Sequence, residues 1–272
     1  IQDLASDDRR AEAASYFSLT IYGTLLVAPL IGGWLRDEYS TDTVWVVAGG
    51  LALGAAVFGV TASGRPDTAT SFPPVRRLIH PAAIRPGLML FSGLLGYTGF
   101  LAFAVIHAEE VGITDGERIF VVFGAVVITL RLVAARVPDR LGPLRTTRLS
   151  LTSGVTGLLI LFAWQEPAGA YVGAAVLAVA QTFLFPALFA LVVDTAPDEE
   201  RSGAIGSFSM FFDLAFGLGG PLIGAVADQT SLAAGFAVCA GISATALAIA
   251  PRLLPTAPIT TSIVDVGPRS RR

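Results

Sequence analysis

Eight apolar stretches, near residues 14–35, 44–62, 87–107, 119–137, 149–164, 168–193, 204–227 and 232–250, constrain this chain more than any other feature of its sequence. A helix crosses a bilayer with about 20 apolar residues, each adding about 1.5 Å along its axis. One such stretch could be the buried core helix of a soluble domain. Eight of them in 272 residues leave too little polar sequence to wrap a core in water. Charged residues make up only 14% of the chain, where soluble domains carry about 25%, and the mean hydropathy is +0.69. The expected fold is all-α, a polytopic membrane protein with eight transmembrane helices. The first stretch follows Asp7-Asp8-Arg9-Arg10, a mixed-charge run unlike the basic start of a removable leader.

Arginine positions give an expected orientation, because cytoplasmic loops hold the excess of positive charge. Fifteen of the 18 basic residues, all of them Arg, fall at the termini or between alternate stretches on one side. The opposite loops hold Arg36 and Arg118, together with Asp37, Glu38, Asp42, Glu109, Glu110, Asp115, Glu117, Glu166 and Asp228. Arg131 falls inside a stretch. Both termini are expected to be cytoplasmic, in a multi-pass protein of the cell membrane, plasma or bacterial inner.

Whole classes of chemistry fail on inventory. The single cysteine, Cys239, excludes disulfide frameworks and cysteine-based metal sites, and only His80 and His107 represent histidine. No metal ligand set and no cofactor motif is present. Without lysine there is no phosphate-cradling Gly-x-x-x-x-Gly-Lys loop, so ATP does not drive this chain. No loop exceeds about 25 residues, too short for a catalytic domain, and a net charge of −3 speaks against a nucleic-acid partner.

The longest loop, residues 63–86, gathers Ser63, Gly64, Pro66, Pro73, Pro74 and Pro81 among four Arg and reads as a cytoplasmic linker. It divides the chain into a cytoplasmic segment 1–13, two helices in 14–62, a six-helix bundle in 87–254, and a tail 255–272 expected to be cytoplasmic and disordered. A shift of 192 places aligns Asp7-Asp8-Arg9 with Glu199-Glu200-Arg201, Ser15-Tyr16 with Ser207-Phe208, and Pro29-Leu30-Ile31-Gly32 with Pro221-Leu222-Ile223-Gly224. A repeat of that length holds six spans and implies two six-helix halves, one established plan for transporters. Four spans are then expected upstream, the more so because the chain starts with Ile1.

Three local patterns carry a resemblance. Gly23 with Ala28-Pro29-Leu30-Ile31-Gly32-Gly33 is similar to the Gly-Pro-x-x-Gly-Gly motif of exporters, with Ala28 in place of its first Gly. Asp139-Arg140-Leu141-Gly142-Pro143-Leu144-Arg145 is similar to an Asp-Arg-x-Gly-Arg loop, from which Pro143 departs. Pro186, Asp194 and Arg201 follow at the spacing of a tenth helix and the loop after it. Over residues 1–254 the chain thereby resembles a major facilitator superfamily transporter from the loop before its fifth helix to its end. The resemblance implies secondary transport of a small organic or amphiphilic solute by alternating access, with proton-coupled export as the main reading. An uptake permease of the same fold, or a non-transporting scaffold or truncated product, are the alternatives.

Candidate residues follow from the cost of polar groups in hydrocarbon. Asp213, the one acid well inside a stretch, is the candidate for proton coupling; a structural ion pair or a hydrogen-bonded core acid is the competing reading. Tyr97, Thr98, Phe100, Gln181 and Phe185, with Tyr16 and Tyr22 as weaker choices, are the cavity candidates, since the resemblance makes their helices face the central cavity. The resemblance implies that Asp139, Arg140, Gly142, Arg145 and Asp194 close the cytoplasmic gate, with an Arg140 to Asp194 pair as one form of it; a solvated turn whose Arg only follows the charge rule is the competing reading. Arg131 either pairs at that gate or snorkels to the interface. Pro29, Gly32, Gly33, Pro221 and Gly224 are expected to give matching bends and close helix contacts in the two halves. His107 reads as an interfacial residue beside Glu109 and Glu110, and the 17 Phe as scattered toward lipid with no aromatic box. The expected partners are a small-molecule solute, protons, the lipid bilayer and the missing N-terminal helices.

Overall fold

The computed structural model describes residue 24 and residues 27–62 and 79–254. Among them lie eight α-helices and one 3-10 turn: α1 (27–38), α2 (Thr41–Ala62), α3 (Pro81–Glu110), α4 (Arg118–Val133), α5 (Val137–Ala163), α6 (Pro167–Thr195), the turn Asp198–Glu200, α7 (Arg201–Ala227) and α8 (Leu232–Leu253). The all-helical expectation holds, and six of these helices are long and apolar enough to cross a membrane.

Helices α3 to α8 form one bundle with α3 at its centre. Helix α3 packs on α7, α8 and α6, while α5 lies against α6 and α8, and α4 against α6. Small residues let the backbones approach, which is how helices associate where lipid offers no hydrophobic drive. A Cβ on Gly157 of α5 would stand 2.7 Å from the Leu177 amide nitrogen and 2.9 Å from the Gly173 carbonyl of α6. The core holds Phe100, Phe208, Phe236, Met89, Leu151 and Leu188, all fully buried. Helix α2 packs on none of α3 to α8, and Trp45, Leu51 and Phe58 are each more than 70% exposed. A helix apolar on every side and uncovered by protein belongs in lipid or against further helices.

Two element starts differ from the sequence expectation. Helix α3 begins at Pro81, inside the expected linker, because the His80 side chain caps it by accepting from the Ala82 amide at 3.2 Å and Pro81 is pre-set for the first turn. Helix α5 begins at Val137, twelve residues before the expected span, so the Asp139 to Arg145 segment is not an open loop. Its break is confined to Gly142, at φ 74 and ψ 171, a region that only glycine occupies readily. The backbone can therefore turn once and resume as helix at Pro143.

One end of the bundle is pinned by His80. Its backbone amide donates to Ser207 Oγ at 2.8 Å, and its Nε2 lies 2.8 Å from Glu200 Oε2, tying the start of α3 to the start of α7. Arg201 Nε donates to the Val193 carbonyl at 3.2 Å, which draws the end of α6 to the same place.

Candidate functional site

Helix α7 starts at Arg201, so Asp213 is its thirteenth residue of 27 and sits at its middle. The side chain is exposed, on a surface of α7 that α3 and α8 leave uncovered. A carboxylate at the bilayer midplane costs about 2.5–3.5 kcal/mol even on insertion scales, so its placement needs a purpose or a partner. The structure brings a row of rings to its side.

Phe208, Phe212 and Phe216 follow one another at i, i+4 and i+8 along α7 and so share a face. Phe212 and Phe216 stack at 4.6 Å between centroids. At one end, Phe212 meets Phe185 of α6 edge-on at 5.8 Å, and Phe185 stacks on Phe189 at 5.6 Å. At the other, Phe216 meets Tyr97 of α3 edge-on at 6.3 Å. Tyr97 in turn stacks on Phe123 of α4 at 5.5 Å, and Phe123 leads to Phe100 at 5.6 Å. The rings form a continuous row across four helices, so the expectation of scattered phenylalanines is corrected. The i, i+4 spacing of Phe208, Phe212, Phe216 and of Phe185, Phe189 was the available signal. Pairs of this kind prefer stacked or edge-on geometry and are worth about 0.5–1.5 kcal/mol beyond their area.

The cavity candidates divide along this row. Tyr97 and Phe185 belong to it, and Phe216, which no sequence argument singled out, is its most open ring at 43% exposure. Phe100 is fully buried at the inner end, a core residue of the α3–α4 contact. Thr98 is also core: its hydroxyl donates to the Ala215 carbonyl of α7 at 2.9 Å and lies 3.1 Å from the Leu95 carbonyl. Gln181 is buried, and its Nε2 has no hydrogen-bond partner among the described residues. Tyr16 and Tyr22 lie outside the described residues.

Of the residues expected at the gate, Arg140, Arg145 and Asp194 are exposed and no ion pair joins Arg140 to Asp194, while the Asp139 side chain lies outside the described residues. Asp194 lies one residue from the end of α6, close to the Val193 carbonyl that Arg201 holds. Helix α4 ends at Val133, four residues earlier than expected, which puts Arg131 in its last turn rather than well inside a span. His107 is fully buried, not interfacial: its ring stands edge-on to Phe236 of α8 at 5.2 Å, because α8 closes over the end of α3.

The glycines of the Pro-Leu-Ile-Gly pair have unequal surroundings. Gly32 has open space where a side chain would begin, whereas Gly224 of α7 faces Phe103 at 3.4 Å. A Cβ on Gly33 would stand 2.8 Å from Glu117 Oε1, the far end of a flexible side chain that lies over this glycine. Pro29 and Pro221 lie within α1 and α7, respectively.

The sequence profile of the Major Facilitator Superfamily matches this chain over residues 1–169 and 87–267. An uncharacterized MFS-type transporter of Salmonella typhimurium is 29% identical over 223 residues, which is 81% of this chain and 57% of that protein. One of Pseudomonas aeruginosa is 32% identical over 166 residues, covering 60% and 41%. One of Burkholderia mallei is 32% identical over 162 residues, covering 58% and 40%. The chain thus spans about half the length of the curated relatives it matches.

Proposed function

The chain belongs to the Major Facilitator Superfamily, and from that premise we propose that it is part of a proton-coupled exporter of a small organic or amphiphilic solute. Membrane transport of a solute follows from the family; the direction, the coupling ion and the solute class are our reading. The observation that carries it is the exposed carboxylate of Asp213 halfway along α7, next to the half-buried Phe212 and three positions before the exposed Phe216.

An aromatic row offers large, sequence-tolerant contact area to an amphiphile without fixing one solute. Asp213 is the proton carrier of this scheme. Protonated, it is neutral and the helix surface it occupies can close against apolar neighbours. Ionised, it needs water or a positive partner, which favours the state open to solvent. The alternation of those two states couples proton movement to solute movement, with the ring row holding the solute. Export rests on the Pro-Leu-Ile-Gly-Gly segment of α1. Further N-terminal helices supply the remaining wall of the path and cover the exposed face of α7. The arginine-rich loops and both termini lie in the cytoplasm of a cell whose plasma or inner membrane holds the protein.

The test is Asp213→Asn in the complete transporter, reconstituted in vesicles. Proton-driven accumulation of solute is expected to be lost while downhill exchange survives. Equal rates in both assays, relative to the parent, would remove Asp213 from coupling.

A further inference from the structure

Contacts between helices fix which of their ends meet. His80 ties the start of α3 to the start of α7, and Arg201 brings the end of α6 there. His107 against Phe236 puts the start of α8 at the far end, so α8 finishes beside the start of α3. Gly157 against Gly173 and Leu177, with Gly154 against Ala180, sets α5 antiparallel to α6. Helix α5 therefore starts where α8 finishes, and the two helices pack on one another.

Charge is divided across that end of the bundle. The acids Asp194, Glu199 and Glu200 stand where α6 meets α7. Helix α5 beyond Gly142 and the whole of α8 contain no acid, and three arginines: Arg145, Arg148 and Arg252. All three are exposed, and none forms an ion pair with a described residue. At the opposite end, by contrast, Arg36 and Arg118 each meet an acid, Glu117 at 2.9 Å and Asp115 respectively.

The three arginines end two exposed apolar stripes. On α5 the open side runs from Arg145 and Arg148 into Leu149; on α8 it runs from Ile249 to Arg252. Arg148 lies eight residues past Arg140, where the apolar span of α5 begins, and so about 12 Å along it. The charge bias of loops explains on which side arginines gather, but it does not require them within a span. From there a guanidinium reaches back along its stem to the headgroup layer, where its planar donors match a phosphate.

We propose that the neighbouring ends of α5 and α8 bind an anionic glycerophospholipid, with its phosphate on Arg145, Arg148 and Arg252 and its acyl chains along Leu149 and Ile249. An acidic peptide would satisfy the arginines and then set polar backbone against the apolar stripes, where it finds no partners. A lipid brings anion and hydrocarbon in the order the stripes present them. The site depends on neither the transport direction nor the coupling ion proposed above.

The complete transporter, stripped of lipid in detergent, is titrated with phosphatidylglycerol and separately with phosphatidylcholine, and bound lipid is counted by native mass spectrometry. The parent is expected to prefer phosphatidylglycerol. Arg148→Gln is expected to lower that preference about fivefold, the factor for about 1 kcal/mol per arginine at a membrane surface. Changing all three arginines to Gln is expected to abolish it. Because the ratio of two lipids is read, a misfolded variant, which loses both, does not pass for a positive result. Arg136→Gln, exposed at the same end but ahead of α5, is expected to stay near the parent ratio. A parent without preference, an Arg136→Gln loss as large as that of Arg148→Gln, or release of the lipid by inorganic phosphate would each overturn the site.

Discussion

Thr98 and Gly219 occupy one space between α3 and α7. The Thr98 hydroxyl donates to the Ala215 carbonyl at 2.9 Å, and it lies where a side chain on Gly219 would begin. The Leu95 carbonyl stands 2.7 Å from the same point, so neither a rotamer change nor a small slide would make room. This missing Cβ, with those of Gly87 against Phe211 and Gly99 against Ile223, lets α3 and α7 approach and so seats Asp213 and the ring row.

Gly219→Ala is therefore expected to destabilise the bundle by about 1–3 kcal/mol, the usual cost of overpacking. Helix propensity alone would favour Ala by about 1 kcal/mol, so the sign tests the crowding. Gly217→Ala, two residues away with open space around it, serves as the control and is expected to be neutral or stabilising. Thermal unfolding in detergent, followed by a thiol-reactive dye on the buried Cys239, reads both variants. Equal midpoints for the two would remove the close contact from the account.

The hydroxyl itself is separable from the crowding. Thr98→Val keeps the shape and removes the donor to Ala215, and interhelical bonds of this kind average about 0.6 kcal/mol with a maximum near 1.7. A modest fall in the unfolding midpoint is expected for Thr98→Val and a parent-like value for Thr98→Ser. A fall as large in Thr98→Ser would assign the effect to packing of the methyl group.

Helix number and approximate bounds were legible because each span is long and uniformly apolar, and Asp213 stood out because one acid interrupts such a span. Positions within helical faces were harder. The Phe208, Phe212, Phe216 stripe was visible as spacing, yet its continuation into Phe185 of α6 and Tyr97 of α3 depends on which helices neighbour α7, which periodicity does not encode. Thr98 and Gln181 looked like cavity polar groups because burial between helices and exposure to a path demand the same residue types. Arg36 and Glu117 passed as ordinary loop charges, since a pairing across 81 residues leaves no local signature.

Gly142 shows how a motif residue can be forced by backbone rather than by partners. At φ 74 and ψ 171 it divides α5 into a short first segment and the long span from Pro143. Gly142→Ala is expected to cost about 1–3 kcal/mol, because a side chain is strained in that region whatever space surrounds it. The same dye assay reads the loss. Gly206→Ala, in a regular helical stretch of α7 with open space, is the matched control. A parent-like midpoint for Gly142→Ala would mean that α5 runs straight through and that the motif keeps its glycine for some other reason.

His107 offers the opposite case, a polar residue whose surroundings ask for an apolar one. It is fully buried where α8 covers the end of α3, its ring stands edge-on to Phe236 at 5.2 Å, and neither ring nitrogen meets a described donor or acceptor. A buried polar group left unpaired costs about 1–3 kcal/mol, whereas a phenyl ring keeps the edge-on contact without that cost. His107→Phe is accordingly expected to raise the unfolding midpoint, and His107→Ala to lower it by opening a cavity. A fall of the midpoint in His107→Phe as well as in His107→Ala would overturn this account, because it would mean that a ring nitrogen, absent from both variants, holds a contact the bundle depends on.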